Sequence, residues 1–167
     1  MSILTEALAR QAAEIVRQAG KLLTEPDAVQ TIIPKSRTDF VTNVDLFVQE
    51  RIRSRLNRLA PNVQFLGEEG EKAAIDPGRP FWILDPVDGT TNLIHRFGHS
   101  AVSLALAEHG QVCFGVVYQP YSGECFTAFR GKGAFLNGRP IRVSGAARLE
   151  ESLLSAGTVP GRRDLAD

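Results

Sequence analysis

Charge of one sign is the first thing this chain lacks. Lys and Arg number 19, and Asp and Glu number 19, in 167 residues, so no global field draws the chain toward nucleic acid or an anionic membrane. Its one local basic cluster, Arg51, Arg53, Arg55 and Arg58, falls on an expected helix beside Glu50 and reads as a solvated face. Long apolar runs are missing too. No segment is apolar for the roughly 20 residues that a bilayer span needs, and Glu6, Arg10, Glu14 and Arg17 interrupt any signal-peptide core. A cytoplasmic protein is the expectation. Cysteine is scarce, with only Cys113 and Cys125. They fall on two strands expected to pair through a turn near residues 120–123, which sets Cys113 opposite about residue 130 and argues against a disulfide. Of the three histidines, His95 and His99 are four apart. Gly98 lies between them, however, and no Cys or third His supports a zinc site. No GxSxG element is present, which sets aside the serine-hydrolase arrangement.

What is present is ordinary globular composition, 43% apolar and 23% charged, enough for one buried domain or one and a fraction. Leu4, Leu8, Ala12, Ile15, Ala19 and Leu22 recur at helical spacing, with Ser2 as N-cap and an end near Pro26. Residues 28–34 read as a short strand and 35–39 as a polar loop. Asn43 is placed to cap a second helix through Val48, Ile52, Leu56 and Leu59, stopped by Pro61. Asp45 falls in its first turn, where compensation of the helix dipole would explain it.

Residues 63–66 read as a strand running into Gly67, Glu68, Glu69 and Gly70. One of these two acids can reach a metal while the other faces away; a solvated turn is the plainer alternative. Further on, residues 100–108, 112–119 and 124–130 form an expected antiparallel meander. Asn137-Gly138 marks a hairpin, and residues 141–143 a last strand. Helices first and strands afterwards give an α+β fold, two helices on an antiparallel sheet. Residues 1–147 make one α+β domain carrying the site. Residues 148–167 read as a linker and the start of a second, α/β domain, with a strand beginning near Leu153 that lacks partners. The chain therefore reads as the front part of a longer protein.

The organising stretch is residues 80–92, PFWILDPVDGTTN. Phe81, Trp82, Ile83 and Leu84 suit a buried strand that stops at Asp85, because Pro86 and Gly89 resist strand continuation. Pro86 stiffens the link between Asp85 and Asp88. Two carboxylates on a stiff turn make a hard oxygen site that suits Mg²⁺ and a phosphate ester. Thr90, Thr91 and Asn92 then open a helix whose first N–H groups favour an anion. By itself DPxDG is equally a capped turn.

WILDPVDGTTN with IHRF after it, FLGEEG before it and TDFVTNVD earlier resemble the inositol monophosphatase family in order and spacing. The downstream segments FGVVYQP and GKGAFLNG match as well, so the resemblance runs from the first helix to about residue 158. It implies the N-terminal part of a layered αβαβα sugar-phosphatase fold. It also implies a Mg²⁺-dependent, lithium-sensitive phosphatase acting on myo-inositol monophosphate. Glu68 and Asp85, with the carbonyl of Val87, would hold one Mg²⁺, and Asp85 and Asp88 a second. Glu68 and Thr90 would orient the attacking water, with Asp45 behind Thr90. Glu68, Asp88, Gly89, Thr90 and Thr91 would bind the substrate, Gly89 and Thr90 through their N–H groups. The partners implied are a small phosphate monoester and a second copy of the chain. No membrane or direct nucleic-acid binding is expected. The TTN after Gly89 is similar to inositol monophosphatases and related fructose-1,6-bisphosphatases, which leaves the latter as an alternative. So does a non-catalytic, RNA polymerase-binding regulator, a role found among relatives of the family. Leu93 and Gly98 replace the family's usual Phe and Pro. The family's second signature, a Trp-Asp pair that supplies another metal aspartate, does not occur before Asp167. The resemblance thus implies half of an active site, and little activity for residues 1–167 on their own.

Overall fold

The computed structural model describes residues 2–37, 39–70 and 74–155. Two long helices, α1 (Glu6–Gly20) and α2 (Asn43–Leu59), lie on a seven-stranded sheet, and a short helix, α3 (Thr90–Ile94), follows the central motif. A two-stranded antiparallel ribbon pairs β1 (Ile32–Pro34) with β2 (Phe40–Thr42). The large sheet runs in chain order: β3 (Gln64–Gly67), β4 (Phe81–Asp88), β5 (Ala101–Glu108), β6 (Gln111–Gln119), β7 (Glu124–Phe129), β8 (Gly133–Leu136) and β9 (Arg139–Ile141). This is the expected α+β architecture, with one refinement. The pairing of β3 with β4 is parallel, and every later pair is antiparallel. Parallel neighbours need a long crossover rather than a tight turn, and the stretch between Gly67 and Phe81 supplies it.

Alternation along the strands decides which face the helices cover. Trp82 and Leu84, then Val102, Leu104 and Leu106, then Phe114 and Val116 all turn inward at 0–2% exposure. They meet Ala12 and Val16 of α1 and Val48, Ile52 and Leu56 of α2 in one apolar cluster. Each large side chain buried this way contributes about 1.5–3 kcal/mol, so this layer fixes where the strand ends point. Phe114 pairs with Phe129, and the Arg130 N–H donates to the Cys113 carbonyl at 3.0 Å. That is the register expected from the turn, and both cysteines are free.

Several boundaries differ from the sequence reading. Thr5, not Ser2, caps α1 by accepting from the Leu8 N–H. Ser2 instead donates to Glu108 at 2.5 Å and ties the N-terminal segment to the end of β5. Thr42, not Asn43, caps α2. The Asn43 side chain is taken by the incoming chain, accepting from the N–H groups of Gln30 and Thr31 and donating to the Ala28 carbonyl. The last strand is Arg139–Ile141, since Val143 is 95% exposed. Residues 142–155 hold only a 3₁₀ turn, Leu149–Glu151. The strand expected from Leu153 does not begin there; residues 156–159 lie outside the described residues, and Leu153 is 99% exposed.

Candidate functional site

The largest departure from the local rules lies in the central motif. Strand β4 does not stop at Asp85 but continues through Pro86 to Asp88. Its pairing with β5 shifts register between Asp85 and Asp88. A bulge of this kind leaves residues unpaired, which is how a proline without an N–H is accommodated in a central strand. Val87 turns into the core at 3% exposure, and its N–H donates back to Asp85 Oδ1 at 3.1 Å. The chain then turns at Gly89 in the left-handed region, φ 90°. A Cβ there would stand 3.0 Å from the His99 carbonyl, so glycine is required for both conformation and space. Ser100 Oγ donates to the Gly89 carbonyl at 2.9 Å, and the Asn92 side chain donates to the His99 carbonyl at 2.8 Å. These two bonds pin the start of α3 to β5.

Strand β3 ends at Gly67 opposite Leu84, which brings Glu68 next to Asp85. Asp85 shares a hydrogen bond with Glu68, and its carboxyl is pushed up to about 7. Burial is the main cause, followed by that bond and by the charges of Glu68 and Asp88, with the Val87 N–H opposing them. Asp88 is exposed at the end of β4 and acts on Asp85 through its charge. Among the described residues, no group of three or more acids, histidines or cysteines gathers closely enough to enclose a metal ion. Glu68 thus stands next to Asp85, and Asp88 follows beyond the shifted register. An acid pair that repels itself, beside the carbonyl end of a bulge, fits a small divalent cation that takes one or two carboxylates and keeps waters.

Glu69 follows Glu68 in the bend after β3. Its side chain is 5% exposed and ion-paired with Lys35 at 2.5 Å; the same ammonium lies 4.0 Å from Glu68. Burial raises the Glu69 carboxyl above its usual range. Lys35 opposes this, and the charges of Glu68 and Asp45 add to it. Nothing in the sequence pointed to Lys35, because a lysine in a polar loop gives no periodic signal.

Asp45 does more than face a helix dipole. It is 1% exposed. Its Oδ2 accepts from the Thr42 N–H at 2.8 Å and from Thr42 Oγ1 at 2.5 Å, closing a capping box at the start of α2. Its Oδ1 accepts from Thr90 Oγ1 at 2.9 Å. Thr90 Oγ1 also lies 3.0 Å from the Val87 carbonyl, so one hydroxyl links α2, the bulge and α3. Thr91 is exposed in the first turn of α3. Asp45→Asn replaces one acceptor oxygen with a donor, so either the cap or the Thr90 bond faces two donors. The expected loss is about 1–2 kcal/mol in urea denaturation. The His99 ring stands edge-on to Phe97.

The sequence model of the inositol monophosphatase family matches residues 1–166. Human inositol monophosphatase 1 is 40% identical over 151 residues, covering 88% of this chain and 52% of its own length. The Xylella fastidiosa protein named Nus factor SuhB is 39% identical, covering 90% of this chain and 55% of its own. Among solved structures, the extragenic suppressor protein SuhB of Bartonella henselae superposes with a TM-score of 0.81 at 36% identity. It covers 87% of this chain and 57% of its own. An inositol monophosphatase/NADP phosphatase complexed with NADP and Ca²⁺ superposes at 0.70 and 31%, covering 87% and 53%. The chain spans about half the length of the curated relatives it matches. Sequence blocks, sheet order and the match over residues 1–166 agree, and the chain belongs to the inositol monophosphatase family.

Proposed function

We propose that the protein is a Mg²⁺-dependent phosphomonoesterase that hydrolyses myo-inositol monophosphate to inositol and inorganic phosphate. In this reading Glu68 and Asp85, with the carbonyl of Val87, hold one Mg²⁺, and Asp85 and Asp88 share a second. When bound, the metal neutralises phosphate charge and lowers the pKa of water. The observation that carries the reading is the Asp45–Thr90 bond set beside the Glu68–Asp85 pair. A hydroxyl has one proton, and the buried Asp45 carboxylate takes it. The Thr90 oxygen is thereby left as an acceptor for the proton of an attacking water. Glu68, half exposed, accepts the other proton as the water oxygen bonds to phosphorus and the bond to the inositol oxygen breaks. The leaving oxygen takes its proton from solvent. The N–H groups of Gly89 and Thr90, with Thr91 beside them in the first turn of α3, orient the phosphate.

Family membership and the human relative support the substrate assignment; the Ca²⁺ complex of one relative supports a divalent metal. The name Nus factor carried by another supports the alternative, a regulator of transcription that binds RNA polymerase. The acid set favours catalysis, since a scaffold has no use for a strained acid pair. A cytoplasmic homodimer is part of the proposal. So is the division into residues 1–147, which carry the site, and residues 148–167, which lead into a second domain. The exposure of Leu149, Leu153 and Leu154 suits a segment that packs against further structure.

Phosphate release from myo-inositol 1-phosphate tests the reading. In the full-length protein, turnover is expected with Mg²⁺, none with EDTA, inhibition by Li⁺, and a loss of about 100-fold or more in Asp88→Asn, which removes a charge at nearly constant volume. Preference for fructose 1,6-bisphosphate would move the protein to the neighbouring branch. No Mg²⁺-dependent turnover of either ester would leave the regulator.

A further inference from the structure

We infer that Gln49 is a positioning residue, one that aims Glu68 at Asp85 by clamping the backbone of the next residue. The inference rests on the metal-site reading above. Gln49 lies four residues after Asp45 on α2, one turn along the same helix face. Its side-chain amide makes two bonds to one residue: Nε2 donates to the Glu69 carbonyl at 2.9 Å, and Oε1 accepts from the Glu69 N–H at 3.1 Å. A neighbouring strand would satisfy those two backbone groups in the same way. The β3–β4 register ends at the Gly67–Leu84 pair, with the Glu68 N–H donating to the Leu84 carbonyl at 3.0 Å. Gln49 therefore extends the pairing by one residue, just where the sheet stops.

The clamp acts on Glu68 through Glu69. The Glu69 backbone is held by Gln49 and its carboxylate by Lys35. With that residue fixed at both ends, and with the Glu68 N–H held on the Leu84 carbonyl, Glu68 is fastened on both sides next to Asp85. Gly67 belongs to the same device. It is not among the residues with left-handed backbone, so its conformation does not call for glycine. Space does: a Cβ at Gly67 would lie 2.2 Å from Gln49 Oε1 and 2.6 Å from its Cδ. The Gln49 side chain is flexible enough to swing aside, so Gly67→Ala should release the clamp rather than unfold the strand.

The test uses Gln49→Ala, Gly67→Ala, the double variant and Gln49→Glu in the intact protein. Calorimetric titration with MgCl₂ is expected to show affinity weakened about tenfold or more in each of the first two. The double variant should be no weaker than the single ones, because both remove one interaction. Hydrogen exchange of the Glu69 amide should quicken at least tenfold in the three variants without the clamp. Protection should persist in Gln49→Glu, which keeps the acceptor, and the amides of α2 should be unchanged throughout. Unchanged Mg²⁺ affinity in Gln49→Ala while the wild type binds, additive losses in the double variant, or loss of protection along all of α2 would each overturn the inference. Absence of Mg²⁺ binding in the wild type would overturn the metal reading itself, and the inference with it.

Discussion

Asp85→Asn is expected to abolish turnover and, at the same time, to stabilise the metal-free protein. The two effects have one cause. Asp85 is pushed up to about 7 from its ordinary 3.8, mainly by burial and then by Glu68. The folded chain thus holds a proton that the unfolded chain has already released above about pH 4. Ionised Asp85 opposes folding: the penalty is absent below about pH 4, grows toward about pH 7 and is complete above it. Asparagine carries no charge at any pH. In EDTA the variant should therefore melt above the wild type at about pH 8, with the gap narrowing as pH falls below about 7. With Mg²⁺ the order should shrink or reverse, because a ligand bound only by the folded state stabilises it. The kcat should fall roughly a thousandfold, as one metal carboxylate and the charge that balances the cation are lost together. A melting difference that does not change with pH would show that the acid pair is not strained.

Thr90→Val has the second largest expected effect, and there stability and activity fall together. Valine keeps the shape of threonine and removes the hydroxyl that joins Asp45 Oδ1 to the bulge at Val87. A buried carboxylate oxygen loses a donor, at a cost of about 1–3 kcal/mol. The group that orients water is lost as well, for roughly 100- to 1000-fold in kcat. Thr90→Ser keeps the hydroxyl and should recover most of both. Steady-state kinetics beside urea denaturation separates the outcomes: normal kcat in a destabilised Thr90→Val would reduce Thr90 to a structural link.

Much of this was legible because it is local or periodic. The stripes of α1 and α2 and the meander from β5 to β7 follow from spacing alone. The register of Cys113 followed from one turn. What stayed hidden depends on contacts distant in sequence. The local rule ended β4 at Asp85, yet the shifted pairing with β5 carries the strand past Pro86. Asn43 looked like the cap of α2, but β2 delivers Thr42 to that place and residues 28–31 claim the Asn43 side chain. The separation of Asp45 from Glu68 carried no hint of Gln49, although its place one turn after Asp45 was readable.

Proton release on metal binding tests the central claim most directly. Metal-free protein titrated with MgCl₂ in two buffers of different ionisation enthalpy, near pH 6 and near pH 8, reports affinity and protons released together. An acid pair whose Asp85 titrates at about 7 should give up close to one proton near pH 6 and almost none near pH 8. Binding should be about tenfold weaker at the lower pH. No binding, or equal affinity at both with no proton released, would contradict a metal site built on Glu68 and Asp85.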